Sequence, residues 1–137
     1  MERRKVFDLE ERLVAFAIRI IGVVETLPST RAGNHVAGQL IRCGSAPAPL
    51  YAEAQGAESR SDFIHKLKIG LKELRETRVW LLVIRGKPLI EPPTKLDPLI
   101  AECNELTAIF VSSIATAQKN RAAKAPHRSR EADGVIP

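Results

Sequence analysis

Aromatic side chains are scarce in this chain of 137 residues, where they make up 4% of the sequence with one Trp and one Tyr. Strands favour aromatic and β-branched residues, so this scarcity disfavours a β-sandwich or barrel and requires an aliphatic core. Hydrophobic residues make up 45% and charged residues 27%, which is the balance of a globular protein. The length suits one domain with a sizeable core.

Cysteines and long apolar runs are also few. Cys43 and Cys103 lack the paired spacing of a zinc site, and we expect two reduced thiols on helix faces. Charged residues such as Arg19 and Arg78 interrupt the apolar stretches, which predicts no membrane-spanning segment and no membrane partner. Acidic residues follow the basic N-terminus where a signal peptide would have an apolar stretch, so we expect a cytoplasmic protein.

Recognisable catalytic and cofactor motifs are absent from the sequence. The three histidines are not spaced i, i+4 as a helical metal site requires, and the eight glycines form no phosphate-binding loop. We therefore expect no catalytic residues, no metal, no cofactor and no enzymatic activity.

One remote enzymatic alternative stays open. Arg60 and His65 form an Arg-x4-His pattern similar to the ribonuclease motif of the all-helical HEPN family, in which a cation and a general acid/base would act on an RNA phosphate. On one continuous helix, however, residues five apart point about 140° apart. Arg60 would have to lie outside the helix for the pair to meet.

Four segments carry apolar residues at the spacing of one helix face. They predict amphipathic helices over about 9–27, 31–56, 61–85 and 97–122. The predicted core-facing stripe of the third helix is Phe63, Leu67, Gly70, Leu71, Leu74 and Leu81, and that of the fourth is Leu99, Cys103, Leu106, Phe110, Ile114 and Ala117. The second segment contains Pro47 and Pro49, so we expect a kink or break in that helix. Short connections between four such helices predict an all-α fold, an antiparallel up-down four-helix bundle over residues 1–118.

The third predicted helix has apolar residues on a second side. Ile69, Val79, Trp80 and Val83 project away from the stripe that contains Leu74. A helix that is apolar on two sides is usually buried on two sides. We therefore predict that these four residues form an oligomer interface.

Positive charge is unevenly distributed along the chain. The net charge is +5, and the segment 119–137 holds five basic residues against two acidic ones. We predict a disordered basic tail over 123–137, which either binds phosphates or only keeps the protein soluble. The candidate nucleic-acid-binding residues come from the third helix and the tail: Lys66, Lys68, Lys72, Arg75, Lys119, Arg121 and Lys124. The alternative for the helix is an ordinary solvated face.

Two stretches carry a resemblance to a known family. The first ends in Glu53-Ala-Gln, and the second resembles S-x-x-D-F-I-x-K-L-x-I-A-L-K-E-x-x-E-T-x-x-W-L, with Gly70 in place of the Ala. The matching residues are Arg42, Gly44, Glu53, Ala54, Gln55, Ser59, Asp62, Phe63, Ile64, Lys66, Leu67, Ile69, Leu71, Lys72, Glu73, Glu76, Thr77, Trp80 and Leu81. This pattern resembles the four-helix-bundle family of 23S rRNA intervening-sequence proteins, often labelled S23 ribosomal proteins. The family's Asn in the first stretch is Leu50 here.

The resemblance implies a bundle that assembles into a ring-shaped homopentamer, without known enzymatic activity. A distant branch, the accessory variability determinant of diversity-generating retroelements, binds reverse transcriptase and nucleic acid. This chain resembles the intervening-sequence branch more closely, so that role is an analogy only. From the basic surfaces we expect an oligomeric protein that binds RNA or DNA backbone or an RNA-processing protein partner. The alternative is a protein-interaction scaffold without nucleic-acid binding.

Overall fold

The computed structural model describes the backbone of residues 9–128 and the side chains of residues 9–120. Within this part of the chain, every regular element is helical. The elements are α1 (Leu9–Thr26), α2 (Arg31–Ser45), α3 (Pro47–Gln55), α4 (Arg60–Gly86), a 3-10 turn (Pro93–Leu96) and α5 (Asp97–Arg128). Helices α2 and α3 together take the place of the second predicted helix. The predicted all-α helical bundle is confirmed.

Side-chain caps fix where two of the helices begin. The Thr30 hydroxyl accepts a hydrogen bond from the backbone N–H of Gly33 at the start of α2, at 3.0 Å. The Ser59 hydroxyl does the same for the N–H of Asp62 at the start of α4, also at 3.0 Å. Each cap satisfies a backbone donor that the first helical turn leaves free.

The break in the second predicted helix lies at Ala46. This residue ends α2 and precedes α3, and its backbone is itself right-handed helical, with φ −77° and ψ −35°. Pro47 is the first residue of α3, a position where a missing N–H costs little. The chain therefore bends between the two helices without forming a loop.

The core is aliphatic, with two phenylalanines, Phe16 and Phe110, among its largest fully buried side chains. Along α5 the predicted stripe is buried throughout: Leu99, Cys103, Leu106, Phe110, Ile114 and Ala117. On α4 the stripe is shifted from the prediction, because Phe63 and Leu71 are only half-buried whereas Ile64, Thr77 and Ile84 are buried. The same shift changes which residues α4 exposes on its outer face.

Two glycines allow neighbouring helices to approach closely. A Cβ atom built on Gly70 would lie 2.6 Å from Cε2 of Phe110 in α5. One built on Gly44 would lie 2.7 Å from Cγ2 of Ile20 in α1. These contacts are too short for a methyl group, so the absent side chains set the helix–helix distance at both places.

Helix α5 is longer than the sequence predicts. It ends at Arg128, beyond the predicted end at 122, and contains Pro126 near its last turn. A proline removes one backbone hydrogen bond, and near the end of a long helix that loss does not prevent the final residues from being helical. Residues 123–128 are therefore helical rather than part of a disordered tail, and residues 129–137 lie outside the described part of the chain.

The segment Pro93–Asn120 is long and apolar enough to cross a membrane, by length and composition alone. The sequence expectation that no such segment exists is therefore too strong. In the structure this helix packs along the bundle, with Cys103, Leu106 and Phe110 fully buried. The buried share of its most apolar window is 28%.

Candidate functional site

A groove between α4 and α5 collects three of the predicted cationic residues. It encloses about 590 Å³ and is lined by Lys68, Leu71, Lys72 and Arg75 from α4 and by Val111, Ile114, Ala115 and Gln118 from α5. Lys68, Lys72 and Arg75 are exposed. No carboxylate is among the lining residues, and none of the ion pairs found among described residues uses these three cations.

Lys66 is predicted to bind nucleic acid together with those cations, but it lies outside the groove. Its Nζ is 2.9 Å from Oε1 of Glu53 in α3, and its side chain is 30% exposed. The hydrogen bond to Glu53 raises the pKa of Lys66 above its ordinary value. Lys66 therefore joins α3 to α4 and is not among the residues that line the groove, and its role in nucleic-acid binding stays a prediction.

The basic residues predicted at the end of the chain come after the groove residues of α5 in the sequence, and none of them is among the described lining residues. Lys119 is exposed and comes directly after Gln118, which lines the groove. The backbone of Arg121 and Lys124 belongs to α5, and their side chains lie outside the described part of the structure.

The predicted oligomer interface divides into two parts. Val79 and Val83 are 52% and 40% exposed, and Leu82, which the sequence analysis missed, is 40% exposed beside them. Ile69 and Trp80 are half-buried. The Trp80 ring meets the ring of His35 in α2 edge-on, with 5.9 Å between centroids.

The Trp80 indole is therefore partly covered within its own chain. Its N–H donates to Oε2 of Glu76 at 3.1 Å. The chain itself thus covers part of Trp80, and an interface formed by Ile69, Val79, Trp80 and Val83 stays a prediction. Val79 and Val83 are the most exposed of the four, and Leu82 adds to the apolar surface beside them.

A second exposed apolar stripe lies on α1. Val14, Ile18 and Ile21 are 45%, 62% and 38% exposed. Their i, i+4, i+7 spacing is visible in the sequence, but the stronger core stripe of the same helix conceals it. Glu10, Glu11 and Glu25 are exposed on the same helix.

Ion pairs hold the helices in register. Arg42 of α2 reaches Glu73 and Glu76 of α4, with Nη1 of Arg42 3.4 Å from Oε1 of Glu73. Arg12 of α1 donates to both carboxylate oxygens of Glu102 in α5, at 3.1 and 2.7 Å. The side chains of these ion pairs are partly exposed, so the pairs specify which helices pack together more than they add to the free energy of unfolding.

The structure does not bring the HEPN-like pair together. Arg60 is the first residue of α4, and it lines a cleft formed with α5. His65 is exposed and does not line that cleft. The two side chains diverge because both residues belong to one continuous helix.

Both cysteines are free and buried. Burial raises the pKa of Cys103 to about 12 and also raises that of Cys43. A thiol with a raised pKa is a poor nucleophile. Within the described residues, no group of three or more His, Cys, Asp or Glu side chains is arranged to hold a metal ion.

Comparisons with known proteins agree with the helical pattern. The chain is similar to a protein of unknown function from the S23 ribosomal protein family of Bacteroides thetaiotaomicron, known from a crystal structure. The two share 28% sequence identity with a TM-score of 0.72 over 77% of this chain and 97% of the other. No curated protein sequence matches the chain. The family model of the 23S rRNA-intervening sequence protein matches residues 7–112. With most of its length matched, the chain belongs to the family of 23S rRNA-intervening sequence proteins.

Proposed function

We propose that this protein is a non-enzymatic, oligomeric bundle that binds the phosphate backbone of RNA or DNA along the groove between α4 and α5. The observation that supports this most directly is the set Lys68, Lys72 and Arg75. These cations are exposed, line one groove, and have no carboxylate beside them in its described lining. Cations left without acidic partners attract phosphates and release counterions when they bind them.

Binding of this kind is indifferent to base sequence. Among the described residues, the groove lining contains no aromatic residue on which a base would stack. The larger apolar residues of that lining, Leu71, Val111 and Ile114, offer no side-chain hydrogen-bonding groups to a base edge. The groove therefore suits backbone contact, which positions a nucleic acid without reading it.

Assembly supplies the affinity that three cations lack alone. The exposed residues Val79, Leu82 and Val83 form an apolar surface on α4 that a second subunit would cover. In the homopentameric ring that the resemblance implies, each groove is repeated by symmetry. Weak contacts to one strand then add through high effective concentration.

The test is a salt titration of RNA binding. Fluorescence anisotropy with a labelled single-stranded RNA gives the dissociation constant at several salt concentrations for the wild type and for the triple variant Lys68→Gln, Lys72→Gln, Arg75→Gln. Each lost phosphate contact lowers the log–log salt slope by about 0.7 for a single strand. We expect the triple variant to bind more weakly, with a slope smaller by about 2.

A matched control removes three exposed cations elsewhere: Arg31→Gln, Lys87→Gln, Lys95→Gln. This control has the same net charge as the groove variant, so it separates a local site from a general charge effect. Equal loss of binding in both variants contradicts the groove. An absence of RNA and DNA binding by the wild type at low salt contradicts nucleic-acid binding altogether.

A protein-interaction scaffold is the second candidate function. The exposed stripe Val14, Ile18 and Ile21 on α1 favours it, since an apolar surface with acidic neighbours suits a protein partner better than a phosphate backbone. If RNA binding fails, light scattering on Val79→Asp, Val83→Asp and on Ile18→Asp shows whether either stripe holds subunits together. A monomeric wild type at micromolar concentration contradicts the oligomer.

A further inference from the structure

A cleft at one end of the bundle is separate from the groove described above. It encloses about 720 Å³ where the turn between α3 and α4 meets the last described turns of α5. Its lining falls in two ranges, 54–63 and 112–120, and shares no residue with the groove. The volume lies within the range typical of small-molecule sites.

Arg60 lines this cleft and carries an unsatisfied donor. Its Nη1 atom is shielded from solvent and has no hydrogen-bond partner, and it is the one buried side-chain nitrogen or oxygen in the described residues with this property. A buried guanidinium donor without an acceptor is costly, because it loses its water and gains nothing in return. A rotation of the Arg60 side chain toward the cleft would let an acceptor from outside the chain remove that cost.

Further donors line the same cleft from the opposite helix. Ser112, Thr116 and Asn120 all belong to α5, and all are exposed. None of the side-chain hydrogen bonds found among described residues uses them. Hydroxyl and amide groups facing a guanidinium across a cleft are the groups that bind an anion with several acceptor oxygens.

We infer that this cleft binds the phosphate group of a small phosphomonoester, with Arg60 as its principal ligand. Arginine matches phosphate geometry because its planar fork donates two parallel hydrogen bonds. The tetrahedral phosphate also has oxygens left for donors on α5. Among the described lining residues Glu58 is the one carboxylate, and it is exposed, where solvent screens its repulsion.

The cleft extends beyond one phosphate, and the half-buried ring of Phe63 is part of its lining. The same chemistry is offered by free phosphate, by a mononucleotide and by a terminal phosphate of RNA. Inorganic phosphate tests the anion site alone, and AMP tests whether the remaining volume adds affinity. Adenosine, which lacks the phosphate, tests the cleft without its proposed anchor.

The experiment is an NMR titration of the full chain at constant ionic strength, with chloride replaced by inorganic phosphate or by AMP. We expect saturable shifts of the backbone amides of residues 58–63 and 112–120, with AMP binding at least as tightly as phosphate and adenosine producing none. Arg60→Ala should raise the dissociation constant tenfold or more. Glu58→Gln should lower it by less than twofold, because solvent screens the charge of that exposed carboxylate.

Arg31→Ala is the matched control, because it removes an exposed arginine that does not line the cleft. Unchanged amide spectra away from the cleft show that each variant is folded. Non-saturable shifts, or equal loss of phosphate binding in Arg31→Ala and Arg60→Ala, would overturn the proposal. Loss of RNA binding in the groove variant with phosphate binding intact would show that the two sites are independent.

Discussion

Adding a methyl group at Gly70 tests how closely α4 and α5 are packed. The new Cβ would lie 2.6 Å from Cε2 of Phe110, where ordinary contact begins at 3.4 Å. Phe110 is fully buried and its ring packs against Tyr51, with 6.3 Å between centroids, so it has little freedom to withdraw. Overpacking of this kind costs about 1–3 kcal/mol.

Two opposing effects decide the sign of Gly70→Ala. Alanine is a better helix former than glycine by up to about 1 kcal/mol, which partly offsets the clash. We therefore expect a net destabilisation between roughly 0 and 2 kcal/mol. The same substitution at Gly38, in the middle of α2, is a control, since a Cβ there meets nothing within 4 Å. That variant should gain about 0.5–1 kcal/mol.

Urea denaturation followed by the fluorescence of Trp80 measures both variants. The difference in free energy of unfolding between Gly38→Ala and Gly70→Ala isolates the clash and should be about 1–3 kcal/mol. Protein concentration must be held fixed, because subunit association shifts apparent stability. In a double-mutant cycle, Gly70→Ala and Phe110→Leu together should destabilise the fold by at least about 0.5 kcal/mol less than the sum of the two single substitutions, because the smaller Leu relieves the contact. Equal stabilisation by alanine at Gly38 and Gly70 would refute the close approach.

Two further predictions concern titratable groups. The hydrogen bond from Arg85 lowers the pKa of Asp97 below its ordinary 3.8, so Arg85→Ala should raise that pKa in an NMR titration. Because the pKa of Asp97 is lower in the folded state, the ion pair stabilises the fold at pH values above the unfolded-state pKa. This stabilisation is lost as the pH falls through the folded-state pKa. The difference in free energy of unfolding between the wild type and Arg85→Ala should therefore shrink in acid. Cys103, with its pKa raised to about 12, should resist iodoacetamide near pH 8.5, where a free thiol is about half ionised, and should react once urea unfolds the chain. Native-state alkylation of Cys103 at the rate of a free thiol would show that its site is open.

Periodicity predicts the face of a helix better than it predicts what covers the neighbouring faces. The whole α5 stripe, from Leu99 to Ala117, is identifiable from sequence because one strong seam fixes which side faces the core. Periodicity could not predict that Trp80 is partly covered within the chain, since its large ring reaches His35 on the adjoining helix. It could not predict the ion pair of Lys66 either, because the partner Glu53 is close only after α3 and α4 pack together.

The Arg60 cleft could not be predicted from the sequence, for a different reason. Its lining comes from residues about 55 positions apart, and its distinguishing property is an unpaired nitrogen. No motif encodes the absence of a partner. The Arg-x4-His pattern in the sequence pairs Arg60 with His65, whereas in the structure Arg60 lines a cleft together with residues of α5.

The residues that identify the family mostly hold the bundle together. Arg42, Glu73 and Glu76 join α2 to α4, while Glu53 and Lys66 join α3 to α4. The motif thus describes how three helices, α2, α3 and α4, pack together, which explains why it is recognisable without indicating a chemistry. The residues proposed here to bind ligands lie largely between those positions, since the pattern leaves Arg60, Lys68 and Arg75 unspecified. A protein can therefore keep this motif and its fold while presenting a different outer surface on α4, so binding measured for one member cannot be transferred to another without comparing those three positions.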